Sequence, residues 1–116
     1  MSRAEEAASA VQRALLACVG PGAAEALALA QARLAWQEAV GDAGLDRGGM
    51  SSRLIAMRGS TAQVEASEPI LAQELTLRAE ALTAAANRHM AGRPGATIVL
   101  HRVTVSVARS GGSRSL

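Results

Sequence analysis

The sequence contains no lysine, no phenylalanine and no tyrosine, and it has a single tryptophan, Trp36, and a single cysteine, Cys18. Each shortage excludes something. Without lysine there is no Walker-type phosphate loop, no Schiff-base lysine and no Ser-Lys catalytic pair. One aromatic side chain cannot build a platform on which several bases stack in succession. A lone cysteine cannot close an intramolecular disulfide, which fits a reducing compartment, and Cys18 sits in an apolar helical stretch where it reads as core filler. The longest uncharged stretch, between Arg13 and Glu25, is broken by Gly20-Pro21-Gly22, so no membrane-spanning segment is expected. The first residues, Met-Ser-Arg-Ala-Glu-Glu, lack the cationic leader and apolar run of a signal peptide. A cytoplasmic location is the expectation.

What is present suits one small domain. The 116 residues are 49% hydrophobic and 19% charged, enough for a core without metal or disulfide staples. Alanine fills 27 positions and favours helix. The net charge of +2 is unevenly distributed: residues 1–50 hold four arginines against six acids, residues 51–116 eight against four. No acid follows Glu80, whereas Arg88, Arg93, Arg102, Arg109 and Arg114 do. A basic C-terminal half suits a polyanion or an acidic partner surface, although solvated arginines also serve solubility alone.

Three segments are expected, a helix and its Gly-Pro-Gly break over 1–22, a domain over 23–107 and a disordered Gly/Ser/Arg tail over 108–116. In the first, Ala7, Val11, Leu15 and Cys18 recur at helical spacing within residues 3–19, and Gly20-Pro21-Gly22 stops the helix. A second helix is predicted from about Ala23 to Val40, with Leu29, Ala32, Trp36 and Val40 as its stripe and Leu27 and Leu34 widening it. Gly41 is expected to end it in the left-handed conformation. Arg53 to Met57 and Thr61 to Ala66 read as an antiparallel hairpin turning at Arg58-Gly59-Ser60, with Ala62, Val64 and Ala66 inward.

Ser67-Glu68-Pro69 supplies a capping side chain and an early proline for a third helix. Leu71, Leu75, Leu82, Ala86 and Met90 give it one stripe over about five turns. After Gly92-Arg93-Pro94-Gly95, residues Thr97 to Val107 predict a strand with Val99, Val103, Val105 and Val107 on one face, and Leu100, Arg102, Thr104 and Ser106 on the other. The order helix-helix-strand-strand-helix-strand gives an α+β fold, a three-stranded antiparallel or mixed sheet with helices on one face. The other face is left to solvent or a partner.

No constellation for catalysis is apparent. His89 and His101 have no Cys, Asp or Glu at ligand spacing, so no metal site is expected. No nucleophile stands beside a histidine and a carboxylate, and the one adjacent acid pair, Glu5-Glu6, is in a fraying first turn. The chain reads as a non-enzyme with neither cofactor nor small-molecule substrate. Gly41-Asp42-Ala43-Gly44 matches the GxxG that clamps a nucleic-acid backbone in KH domains. That loop joins two helices, however, and Asp42 would repel a phosphate, so helix termination is the favoured reading. Trp36 is expected in the core rather than stacked on a base. Arg53, Arg58, Arg88, Arg93 and Arg102 are the candidate binding residues, forming a stripe across one end of the sheet.

Trp36-Gln37-Glu38-Ala39-Val40-Gly41 resembles the W-x-x-x-V-G helix end of the DUF721, or DciA, family of bacterial proteins. The hairpin with its central Gly59, the helix opening Leu71-Ala72-Gln73-Glu74-Leu75 and the closing strand after Gly95 follow in that family's order, so that the resemblance covers residues 23–107. Many members carry a second tryptophan where Leu71 stands. The resemblance implies a KH-like domain that associates with the hexameric replicative helicase and helps place it on single-stranded DNA at replication initiation, without catalytic residues. Trp36, Gly41, Leu71 and Leu75 are then structural. A KH-like nucleic-acid-binding module, or an adaptor for some other protein, remains the alternative. Binding to single-stranded DNA is expected to be weak and to fall steeply with salt.

Overall fold

The computed structural model describes residues 22–108. The predicted first helix with Cys18, and residues 109–116 of the predicted tail, lie outside the described residues; Gly22, expected in the break, is already helical, and Ala108, expected in the tail, donates its N–H to Ala66 O at 2.7 Å. Six elements follow one another: α1 (Gly22–Asp42), β1 (Ser52–Arg58), β2 (Thr61–Ala66), α2 (Pro69–Leu77), α3 (Ala79–Met90) and β3 (Arg102–Val107). The fold is α+β, and the sheet is mixed, in the order β1-β2-β3. β2 runs antiparallel to β1 and parallel to β3. A parallel return needs a crossover, which α2 and α3 provide.

The hairpin forms where alternation and turn chemistry place it. Gly59, with φ at 60°, occupies the first central position of the two-residue turn, where a positive φ is required. Ala62, Val64 and Ala66 are buried towards the helices, as their alternation predicts.

α1 buries Ala28, Ala32, Ala35 and Ala39 together with Trp36 and Val40. The small residues let β1 and α3 approach the helix backbone, and Trp36 fills the centre with no exposed surface. Leu34, expected to widen this stripe, is half exposed, and Leu29 lies at the edge of the core. Gly41 does not end the helix in the left-handed region. It is the penultimate helical residue, and the first positive φ, 72°, falls at Gly44. The backbone bonds Ala43 N to Ala39 O at 3.1 Å and Leu45 N to Val40 O at 3.1 Å carry the chain past Gly41, and Leu45 is buried as the loop folds back.

The predicted third helix is two. It breaks at Arg78, whose φ of −105° and ψ of 13° leave the helical region without proline or glycine. The physical reason is that the halves have different partners: α2 packs on β3 and β2, α3 chiefly on α1. Thr76 Oγ1 donates to Ala72 O at 2.8 Å in the last turn of α2, a back-bond that loosens helical geometry. Leu71, Leu75, Leu82, Ala86 and Met90 are all buried in the common core, so the stripe survives the break. No side chain caps α2 at Glu68; the Ser67 hydroxyl instead accepts the Ser51 N–H at 2.9 Å.

The last strand is shorter than alternation predicts. Residues 97–101 are irregular, and there the expected parity is reversed: Leu100 is 2% exposed and Val99 57%. Asn87 on α3 holds Leu100 by its backbone, donating through Nδ2 to Leu100 O and accepting from Leu100 N at Oδ1, both at 2.9 Å. One side-chain amide thus takes the place of a neighbouring strand.

Candidate functional site

The helices cover one face of the sheet and leave the other open. Register places three rows across that open face. Arg58 is opposite Thr61, which is opposite Arg102; Gln63 is opposite Thr104; and Arg53 is opposite Glu65, which is opposite Ser106. In a regular strand Arg53 and Arg58, five residues apart, would point to opposite faces. The bulge at Ile55 between Leu54 and Ala56 inserts one residue and brings both to the open face. Nothing in the sequence marked Ile55 as the bulged position.

This geometry divides the five candidate arginines. Arg58 and Arg102 flank Thr61 at one end of the face, about 10 Å apart at two strand spacings. Neither forms an ion pair with a described residue. Arg53 is at the other end, where its Nη2 bonds Glu65 Oε1 at 3.2 Å; its side chain is 74% exposed, so the pair is a weak surface contact. Arg88 and Arg93 are not part of this stripe. Arg88 is exposed in the last turn of α3, in the helical layer. Arg93 is half-buried against Glu38 of α1, with its Nη2 at 2.7 Å from Oε1 and 2.8 Å from Oε2. A continuous stripe of five is therefore replaced by one pair and three separate positions, because α3 and its C-terminal turn lie behind the sheet.

The Arg93 contact belongs to a polar cluster at the junction of α1 and α3. His89 Nε2 donates to Asp42 Oδ2 at 2.7 Å, and its Nδ1 lies 3.6 Å from Glu38 Oε1. Glu38 and Asp42 are one helical turn apart on α1, and thus face α3 together. The hydrogen bond from Arg93 holds the Glu38 carboxyl below its usual value, assisted by the charges of Arg93 and His89 and opposed by burial. The same bond raises the Arg93 guanidinium. Asp42, singled out as a charge that would repel phosphate, is thus engaged with His89, and the GDAG segment runs from the end of α1 into a turn rather than between two helices. The junction that does join two helices, between α2 and α3, reads Leu77-Arg78-Ala79 and holds no glycine.

Side chains that sequence reasoning passed over guard the outer edge of β1. Arg33 donates through Nε to Leu54 O at 3.1 Å and through Nη2 to Ile55 O at 3.2 Å. Gln37 Nε2 donates to Ser52 O at 2.6 Å. Arg33 and Gln37 are spaced i, i+4, the one signal in the sequence that they share a helix face.

Among the described residues no group of three His, Cys, Asp or Glu side chains is arranged to hold a metal ion, and no helix is long and apolar enough to cross a membrane. Compared with known proteins, the chain matches no protein family, no curated protein and no solved structure.

Proposed function

We propose that this chain is a DciA-like, non-catalytic cytoplasmic accessory protein that binds the replicative helicase and assists its loading onto single-stranded DNA, working through the open face of its sheet. The observation that carries the reading is the pair Arg58 and Arg102, on either side of Thr61 on a polar face and without acidic partners among the described residues. The resemblance around Trp36 and Gly41 supplies the helicase as partner. A face carrying Thr61, Gln63 and Thr104 between arginines is too polar for an obligate interface and suits a contact that must be released. The KH-like description of the fold is part of the same proposal. Its support is the order helix-strand-strand-helix-helix-strand with helices on one side of a mixed sheet.

The test is co-purification with the helicase and stimulation of its unwinding of a forked substrate, for the wild type and for Arg58→Glu/Arg102→Glu. Charge reversal at a complementary surface repels a partner and slows association. Wild-type protein that neither binds the helicase nor raises unwinding sinks the assignment. If wild type and variant act alike, the open face is the wrong surface. A second reading, a module that binds single-stranded nucleic acid unaided, is favoured if the variant loses DNA binding while the wild type ignores the helicase.

A further inference from the structure

The sheet's polar face is not the only unfilled surface. Under the first two turns of α1 there is an open groove of about 490 Å³, lined by Ala24, Glu25, Ala28 and Leu29 of α1, by Ala56 and Met57 of β1, and by Thr97 and Ile98 of the extended segment. Apart from Glu25 and Thr97 the described residues lining it are apolar. The groove lies under α1, its β1 wall of Ala56 and Met57 directly preceding Arg58, and the function proposed above makes no use of it.

We propose that this groove is the docking site of the chain's own residues 3–19, seated as an amphipathic helix. Three observations select this occupant over a foreign one. The chain enters α1 at Gly22, two residues before the first wall residue, Ala24, so whatever precedes Gly22 is tethered at the mouth of the groove. Residues 3–19 carry one apolar stripe, Ala7, Val11, Leu15 and Cys18, with the charged residues Glu5, Glu6 and Arg13 off it and Arg3 at its outer end. Gly20 and Pro21, ahead of the Gly22 that opens α1, are a link of the length that joins antiparallel neighbouring helices, which sends residues 3–19 back along α1 over the groove. Ala24 and Ala28 present no more than a methyl group there, allowing a helix to approach closely. The tether also raises the local concentration of this segment far above that of any free competitor.

Cys18, the one cysteine, reports the contact directly. Thr97→Cys places a second thiol on the groove wall, 79 residues away in sequence and at an exposed position that tolerates change. Thr104→Cys places it on the open sheet face as a control. The full chain, at low concentration, is treated with a short bis-maleimide, and the products are separated as monomer and dimer. The expected result is an intramolecular link to Thr97→Cys that forms about ten-fold faster than to Thr104→Cys, since both positions share the tether and only seating in the groove raises the effective concentration at one of them. Adding Leu15→Asp should abolish that difference, with the circular dichroism of the folded domain retained. Equal rates at the two positions overturn the proposal. So does linkage between chains at high dilution, which assigns the groove to a second copy, or a fast Thr97→Cys link that Leu15→Asp leaves unchanged.

Discussion

The indole Nε1 of Trp36 donates a hydrogen bond to Ser52 Oγ at 3.0 Å, and both side chains are buried. The bond ties the middle of α1 to the first residue of β1 and satisfies the one polar atom of the ring in the core. Ser52→Ala strands that N–H in an apolar setting, and should cost about 1–3 kcal/mol. Trp36→Ala also empties the centre of the core, and should cost about 3–5 kcal/mol, much of the stability of a small domain. Urea denaturation of both variants checks the order. Equal midpoints for Ser52→Ala and wild type would mean the indole N–H finds another acceptor.

The ion pair between Glu38 and Arg93 makes stability pH-dependent in acid. Glu38 has a native value depressed below its ordinary 4.5. A depressed carboxyl contributes stability that is fully present above the unfolded value and disappears as pH falls through the native one. Wild type should therefore lose more stability than Glu38→Gln between about pH 5 and the depressed native value. Thermal melts across that range provide the measurement, and parallel curves would remove Glu38 from the account.

Asn87→Ala removes both anchors of Leu100 at once. Each neutral hydrogen bond contributes about 0.5–1.5 kcal/mol, and an unpaired buried group costs more. Hydrogen exchange at the Leu100 amide should accelerate well beyond the change in global stability, since the segment before β3 has no ladder of its own. Protection that follows global stability alone would show that burial of the Leu100 side chain suffices.

Arg33 and Gln37 occupy carbonyls that an edge strand otherwise offers to other chains. Arg33→Ala/Gln37→Ala should stay folded yet associate with rising concentration, measured by sedimentation velocity. A monomer at all concentrations would show that the bulge at Ile55 protects the edge unaided.

Binding of single-stranded DNA by the open face should depend on salt less steeply than the arginine content suggests. Two phosphate contacts give a slope of log K against log salt of about −1.4. Arg58→Glu/Arg102→Glu should abolish it, and Arg53→Glu, already opposite Glu65, should change it little. A slope several times larger requires arginines outside this face, with Arg88 the first to test.

Local pattern carried the sequence a long way. The alternation in Thr61–Ala66, the glycine at 59 and the apolar spacing of Leu71, Leu75, Leu82, Ala86 and Met90 determined a hairpin, the helical stretches and the buried face of each, because strand and helix periods are properties of neighbouring residues. The burial of Trp36 followed from the same spacing. What no period encodes was decided by tertiary structure. The bulge at Ile55 put Arg53 and Arg58 on one face. The break at Arg78 let two half-helices reach different partners. The amide of Asn87 turned Leu100 inward, against its expected parity. The five candidate arginines were equivalent in sequence, but Arg93 is matched with Glu38, 55 residues earlier, and His89 with Asp42, 47 residues earlier. Whether a charge is free or spent depends on what folding brings within hydrogen-bond distance, and that is set by the packing of α1 on α3.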